Sequence, residues 1–270
     1  MYDFSVIVCG CTQNSAAYIY ENSAKLYEMK NIFKNFHFVI YENDSTDNTV
    51  SVLESFKKTH TNFNYISETE IYKKIPIQWT PHTRCIFIAY CRNQLLKYID
   101  INYSNYDYMI MVDLDDVMSV FNVKQVHYIF NNDLQWDALF ANCLGKYYDI
   151  WALRIDPNVW VPEIHEQLWN EVIDYDCWEK ARFYQNSKKY VFDNQICIPV
   201  KVPHIPVSSA FGGFGIYKIS KIKNCWYSGV ENGKLICEHV PFHKQIRETY
   251  NAKLFICPKF LVNQQINHTK

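Results

Sequence analysis

Apolar residues gather in short blocks separated by polar or helix-spaced stretches through the first half of the chain. SVIVCGC (5–11) is a block of strand length, and residues 15–34 carry apolar positions at helical spacing. FHFVIYE (36–42) predicts a second strand, the polar turn NDSTD follows, and a helix is expected from Asp47 to His60. NFNYIS (62–67) predicts a shorter third strand. Residues 83–100 predict a long helix, with Ile86, Ala89, Tyr90, Asn93 and Leu96 spaced for one face. YDYMIMVD (106–113) predicts a fourth strand, apolar enough to be buried on both sides. Strand and helix alternate, so the expected fold is α/β, a Rossmann-like, mainly parallel sheet flanked by helices.

The second half is less regular. Residues 122–132 are expected to be helical, DALFANC (137–143) a strand, and 163–188 a mixture with acidic and aromatic character. FGGFGIYKI (211–219) is a glycine-marked turn running into a strand or helix, and KLICEHV (234–240) predicts a strand. No linker or low-complexity tract divides the chain. The expectation is a single domain over 1–270, with halves at 1–118 and 119–270. The formal net charge of −1 provides no global basic field for nucleic acid. The first residues lack a basic segment followed by an apolar one, and no run approaches about 18 apolar residues, so a soluble, intracellular protein is expected. Ten cysteines contain no CxxC pair, which disfavours a zinc cage and favours reduced, buried thiols.

In parallel sheets of this kind ligands bind beyond the carboxyl ends of the strands, and the two richest polar clusters fall there. Asp113-Leu114-Asp115-Asp116 leaves the fourth strand directly. Hard divalent cations take oxygen ligands, and Mg2+ or Mn2+ often joins one or two carboxylates to substrate phosphates. An Asp-rich turn capping the next helix is the bland alternative. Glu42-Asn43-Asp44-Ser45-Thr46-Asp47 leaves the second strand. Its short polar residues suit a helix cap, but Glu42 ends the strand on the same rim and can accept hydrogen bonds from a nucleoside.

SVIVCGCTQN, VIYENDSTDNT, YCRNQLL and MIMVDLDD, in that order over residues 4–118, resemble the nucleotide-binding half of GT-A glycosyltransferases. The resemblance implies a GT-A fold and transfer of a hexose, glucose or galactose, from a UDP-sugar to an acceptor hydroxyl on a glycan, saccharide or protein. It implies a DxD-bound Mn2+ or Mg2+, with Mn2+ favoured. It further implies that Glu42 meets the nucleoside, bordered by Thr12 and Asn14. Arg92 would brace the diphosphate or the metal-binding turn, Asp113 the ribose or metal, and Asp115 the metal. More loosely, residues 148–154, SSAFGGFGIYK and CEHVPFH resemble segments of viral, fungal-capsule and collagen-modifying glycosyltransferases. His239 is then the expected third metal ligand with His243 second. Two histidines flanking Pro241 are not expected on one helical face, so only one would ligate. Gly212 and Gly213 would let backbone approach the donor, and Trp151 and Arg154 would meet the acceptor. Glu238, with Asp149 behind it, is the candidate base for an inverting reaction.

Asp44 stands where the family often has glycine, so contacts at that turn are expected to differ. Two other classes compete. A nucleotidyltransferase would want a Gly- and Lys/Arg-rich loop after the first strand, and CGCTQNSAAYIY has no basic residue. A non-catalytic carbohydrate-binding module would use the surplus of 21 Tyr and 17 Phe, but it requires neither Glu42 nor paired carboxylates.

Overall fold

The computed structural model describes residues 1–131, 133–155, 161, 168, 169, 173 and 176–264. Much of the expected mixed segment 163–188 lies outside these. The strands are β1 (Tyr2–Thr12), β2 (Phe33–Asn43), β3 (Phe63–Glu68), β4 (Tyr108–Asp113), β5 (Ala138–Leu144), β6 (Ile205–Pro206), β7 (Phe214–Lys218), β8 (Val230–Glu231), β9 (Lys234–Leu235) and β10 (Leu254–Asn263). The longer helices described below are α1 (Ile19–Tyr27), α2 (Thr49–Thr59), α3 (Arg84–Tyr103) and α4 (His239–Tyr250).

One sheet takes the order β3-β2-β1-β4-β7-β5-β10-β6, and β8 pairs with β9 apart from it. β3, β2, β1 and β4 run parallel. β7 is antiparallel to both β4 and β5, β10 is parallel to β5, and β6 runs against β10. The sheet is therefore mixed and mainly parallel, as expected. Val6, Ile7, Val8, Val39, Ile40, Met109, Ile110 and Met111 are all fully buried, which explains why these strands are apolar on successive rather than alternate residues.

Register fixes what meets at the carboxyl edge. Thr12 lies opposite Glu42, Glu42 opposite Ser67, and Cys11 opposite Asp113. Because β7 runs the other way, its start, just past Gly212-Gly213, reaches this same edge. β5 runs with β4, so residues 147–154 leave the sheet here too.

Three expected elements differ. The helix expected over 15–34 is confined to α1 and one further 3-10 turn, Glu28–Asn31. The amides of Asn14, Ser15 and Ala16 bond to side chains of Ser45, Thr49 and Asp47 instead of opening a helix. At the other end the Tyr2 amide bonds the Ile32 carbonyl (2.7 Å) and draws the chain into β2. The strand expected over 234–240 is limited to β9, and a helix begins at His239. Pro241 sits in its first turn, where the missing N–H would have no intrahelical partner anyway, so the helix forms through it. α3 lacks the one-sided stripe expected of it: Phe87, Ala89, Cys91, Arg92, Leu95, Leu96 and Ile99 are buried. It is packed on two sides, and Gly229 lies so close that a Cβ there would stand 2.4 Å from the Ile86 amide nitrogen. Among the described residues no helix is long and apolar enough to cross a membrane.

Gly10 is fixed by the β1–β4 pairing. A Cβ there would stand 2.7 Å from the Val112 carbonyl oxygen and 2.9 Å from the Leu114 side chain. Gly10→Ala is expected to lower stability by about 1–3 kcal/mol, read by urea denaturation.

Candidate functional site

The loops after β1 and β2 are clasped together by short polar side chains. Asn14, at φ 51°, donates its amide to Ser45 Oγ (2.9 Å), and its Oδ1 accepts from the Thr46 amide (2.8 Å). The Thr12 and Ser15 hydroxyls bond at 2.5 Å. Glu42, 1% exposed, accepts from the Ser45 amide (2.8 Å) and from Ser67 Oγ (2.5 Å). Thr12, Asn14 and Glu42 thus stand together on one rim, where Glu42 and Asn14 first of all hold the loops. Asp44, also left-handed at φ 50°, accepts from the Glu70 and Ile71 amides and so joins β2 to the segment after β3.

At the end of β4 the backbone turns so that Leu114 is buried while Asp113 and Asp115 remain half-exposed. Asp115 caps the short 3-10 helix Asp116–Val120, its Oδ1 accepting from the Val117 amide (3.1 Å). Asn22 of α1 donates to the Leu114 and Asp115 carbonyls at 3.2 and 2.9 Å, which anchors the turn from behind. Sequence reasoning missed Asn22, although a polar side chain in the buried stripe of Ile19, Ser23 and Leu26 was a signal.

Arg92 is the hub. Its Nη2 donates to Asp113 Oδ1 (3.1 Å), and Nη1 meets both Glu238 Oε1 and His239 Nε2. The Phe211 and Tyr227 rings flank the guanidinium carbon at 4.8 and 5.6 Å. Burial alone would lower the pKa of this guanidinium, but Glu238 and Asp113 more than offset it and hold the group firmly charged. His239 is driven the other way by burial, Arg92 and His243, so its imidazole is neutral and accepts at Nε2. His239, the expected third metal ligand, meets Arg92 through Nε2, with its ring stacked on Phe211 at 4.0 Å. Glu238, the first candidate base, is likewise engaged by Arg92 and 6% exposed. His239 and His243 do share a face of α4, their rings 5.5 Å apart, contrary to the expectation drawn from Pro241. His243 is held by Ser209 Oγ (2.8 Å) and the Tyr217 hydroxyl (2.9 Å), deeper in the core.

Asp149, 7% exposed, accepts from the Gly212 amide (2.9 Å) and more weakly from that of Ala152 (3.4 Å). The next carbonyl, that of Gly213, accepts from the Asp113 amide (2.9 Å). Gly212-Gly213 therefore ties Asp149 to the DxD turn. Both glycines have positive φ, 65° and 82°, and a Cβ on them would stand 2.7 Å from the Ala141 carbonyl oxygen and 2.5 Å from Val117 Cγ1 respectively. Burial pushes Asp149 up to about 6 from its ordinary 3.8. The Gly212 hydrogen bond opposes that rise, and Asp113 and Glu238 add to it. Arg154 is spent inside the chain, donating to the Trp151 and Leu153 carbonyls (2.8 and 2.7 Å) with Asp176 at 3.6 Å. Trp151 is half-buried beside it.

Among the described residues no three His, Cys, Asp or Glu side chains converge closely enough to hold a metal by themselves. The rim fits a shared ion instead. Two carboxylates stand at i and i+2 on the solvent side of a turn, and Mg2+ or Mn2+ is commonly completed by substrate phosphates.

No protein-family signature matches the sequence, and no curated protein matches it. Solved structures do share its fold. The mannosyltransferase PcManGT from Pyrobaculum calidifontis, in complex with GDP-Man and Mn2+, superposes with TM-score 0.52 at 14% identity, over 97% of this chain and 57% of that one. TarS of S. aureus superposes with TM-score 0.50 at 14% identity, over 93% of this chain and 35% of that one. This chain thus spans well under two thirds of either length. At such identity the likeness is one of fold, and the fold is the GT-A type expected from the sequence.

Arg92→Met is expected to cost about 3–5 kcal/mol in urea denaturation, because Glu238 and Asp113 lose their countercharge. Adding Glu238→Gln should cost less than the sum of the two single changes. Asp149 contributes to stability fully below its unfolded value of 3.8, and that contribution is lost as pH rises through about 6. Asp149→Asn should therefore be more stable than wild type at pH 7–8, by about 1–3 kcal/mol in urea denaturation, and lose this advantage toward pH 4.

Proposed function

We propose, taking the GT-A fold as premise, that this chain is a nucleotide-sugar-dependent glycosyltransferase that moves a hexose from a UDP-sugar to an acceptor hydroxyl. One observation carries the reading. Asp113 and Asp115 from the end of β4 and Asp149 from the turn after β5 are joined through Gly212-Gly213 at the carboxyl edge of the sheet. PcManGT, described with GDP-Man and Mn2+, supports a nucleotide-sugar donor and a manganese ion.

Asp113 and Asp115 would hold Mn2+ or Mg2+, which when bound neutralises charge on the departing diphosphate. Arg92 keeps Asp113 oriented from behind, and Glu238, His239, Phe211 and Tyr227 keep Arg92 in place. Glu42 and Thr12 border the nucleoside, with the clasped loops as its frame. The base is Asp149 rather than Glu238. A general base works best with a pKa near the operating pH, and Asp149 is raised to about 6, whereas the Glu238 carboxylate is engaged by a guanidinium. Asp149 accepts the acceptor's proton on a carboxylate oxygen as the sugar is transferred. Trp151 offers an aromatic face to an acceptor sugar, and the acceptor is a glycan, a saccharide or a hydroxyl-bearing protein.

UDP-, GDP- and dTDP-hexoses are screened with Mn2+, with and without chelator. Metal-dependent consumption of a UDP-hexose is expected, and Asp115→Asn should reduce it at least about a hundredfold. Asp149→Asn should keep donor binding but lose transfer, and wild-type transfer should rise with pH through about 6. Donor turnover indifferent to chelator and to Asp115→Asn would end the proposal.

A further inference from the structure

The turn after β5 carries a phenol that neither the fold nor the chemistry above employs. Tyr148 is 4% exposed, and among the described residues its hydroxyl has no hydrogen-bond partner. A buried hydroxyl left unbonded is costly, and such groups ordinarily meet protein, water or ligand. A Cβ on Gly213 would stand 3.0 Å from this oxygen and 2.5 Å from Val117 Cγ1. The Gly213 carbonyl holds the Asp113 amide, and the Val117 amide is held by Asp115. The hydroxyl therefore sits between the DxD turn and the glycine turn. A phenol with its ordinary pKa of about 10 keeps its proton at neutral pH and so has it to donate. Gln195 Nε2, bonding the Tyr148 carbonyl at 3.2 Å, fixes the backbone beneath it.

We propose that Tyr148 is a ligand-binding residue whose O–H donates to a non-bridging oxygen of the diphosphate held at Asp113 and Asp115. This inference rests on the glycosyltransferase reading. The hydroxyl makes no hydrogen bond to Asp113, Asp115 or Asp149, which leaves it available to an acceptor that the ligand brings. An anionic phosphate oxygen makes the stronger, charge-assisted bond.

The test is Tyr148→Phe, which removes the oxygen and little else. Calorimetric affinities for UDP with Mn2+ and for pyrophosphate with Mn2+ are compared with wild type, alongside the melting temperature without ligand. Both affinities should fall about ten- to a hundredfold while the ligand-free melting temperature holds or rises. Unchanged affinities would overturn the inference, and a loss confined to UDP would overturn its assignment to phosphate. A lower melting temperature, or failure to fold, would show the hydroxyl already partnered within the chain and overturn it equally. If wild type binds neither ligand, the glycosyltransferase reading fails and takes this inference with it.

Discussion

A guanidinium taken out of water must find its countercharges in the protein, and much of this rim is arranged to supply them to Arg92. Asp113 comes from β4, Glu238 from the entry to α4, and the flanking rings from the glycine turn and from residue 227. Arg92 itself projects from the middle of α3, so four remote segments converge on one charge. Few of these partners would be satisfied alone. Glu238, removed from solvent, requires the cation, and the buried cation requires Glu238 together with the half-exposed Asp113.

That dependence explains why the sequence revealed positions more readily than roles. The apolar runs of β1, β2 and β4 were legible because strands buried on both faces leave a continuous signal. The reversal of β7, which delivers Gly212 and Gly213 to the rim, was not legible, since a turn before five strand residues does not announce which neighbour it will join. α4 was hidden by local composition. Its Val240, Phe242 and Ile246 resemble strand residues, and Pro241 argues against a helix unless it is known to stand in the first turn.

The DxD pair and Glu42 could be read as a rim because each directly ends an apolar block. Glu238 and His239 were legible only as reactive residue types. That they spend those groups on Arg92 depends on residues 146 and 147 positions away in the chain, beyond any pattern in the sequence. On sequence alone Asp149 is the weaker base candidate. What distinguishes it, deep burial with a lone strong backbone donor, is a property of packing that only the fold can supply.

The clasp between the loops after β1 and β2 has a consequence for recognition. Asn14, Ser45, Thr46, Asp47 and Thr49 are tied by side-chain-to-backbone bonds within the chain itself. On the glycosyltransferase reading proposed above, a frame already tied gives up little motional freedom when a nucleoside binds, so contact energy is retained as affinity.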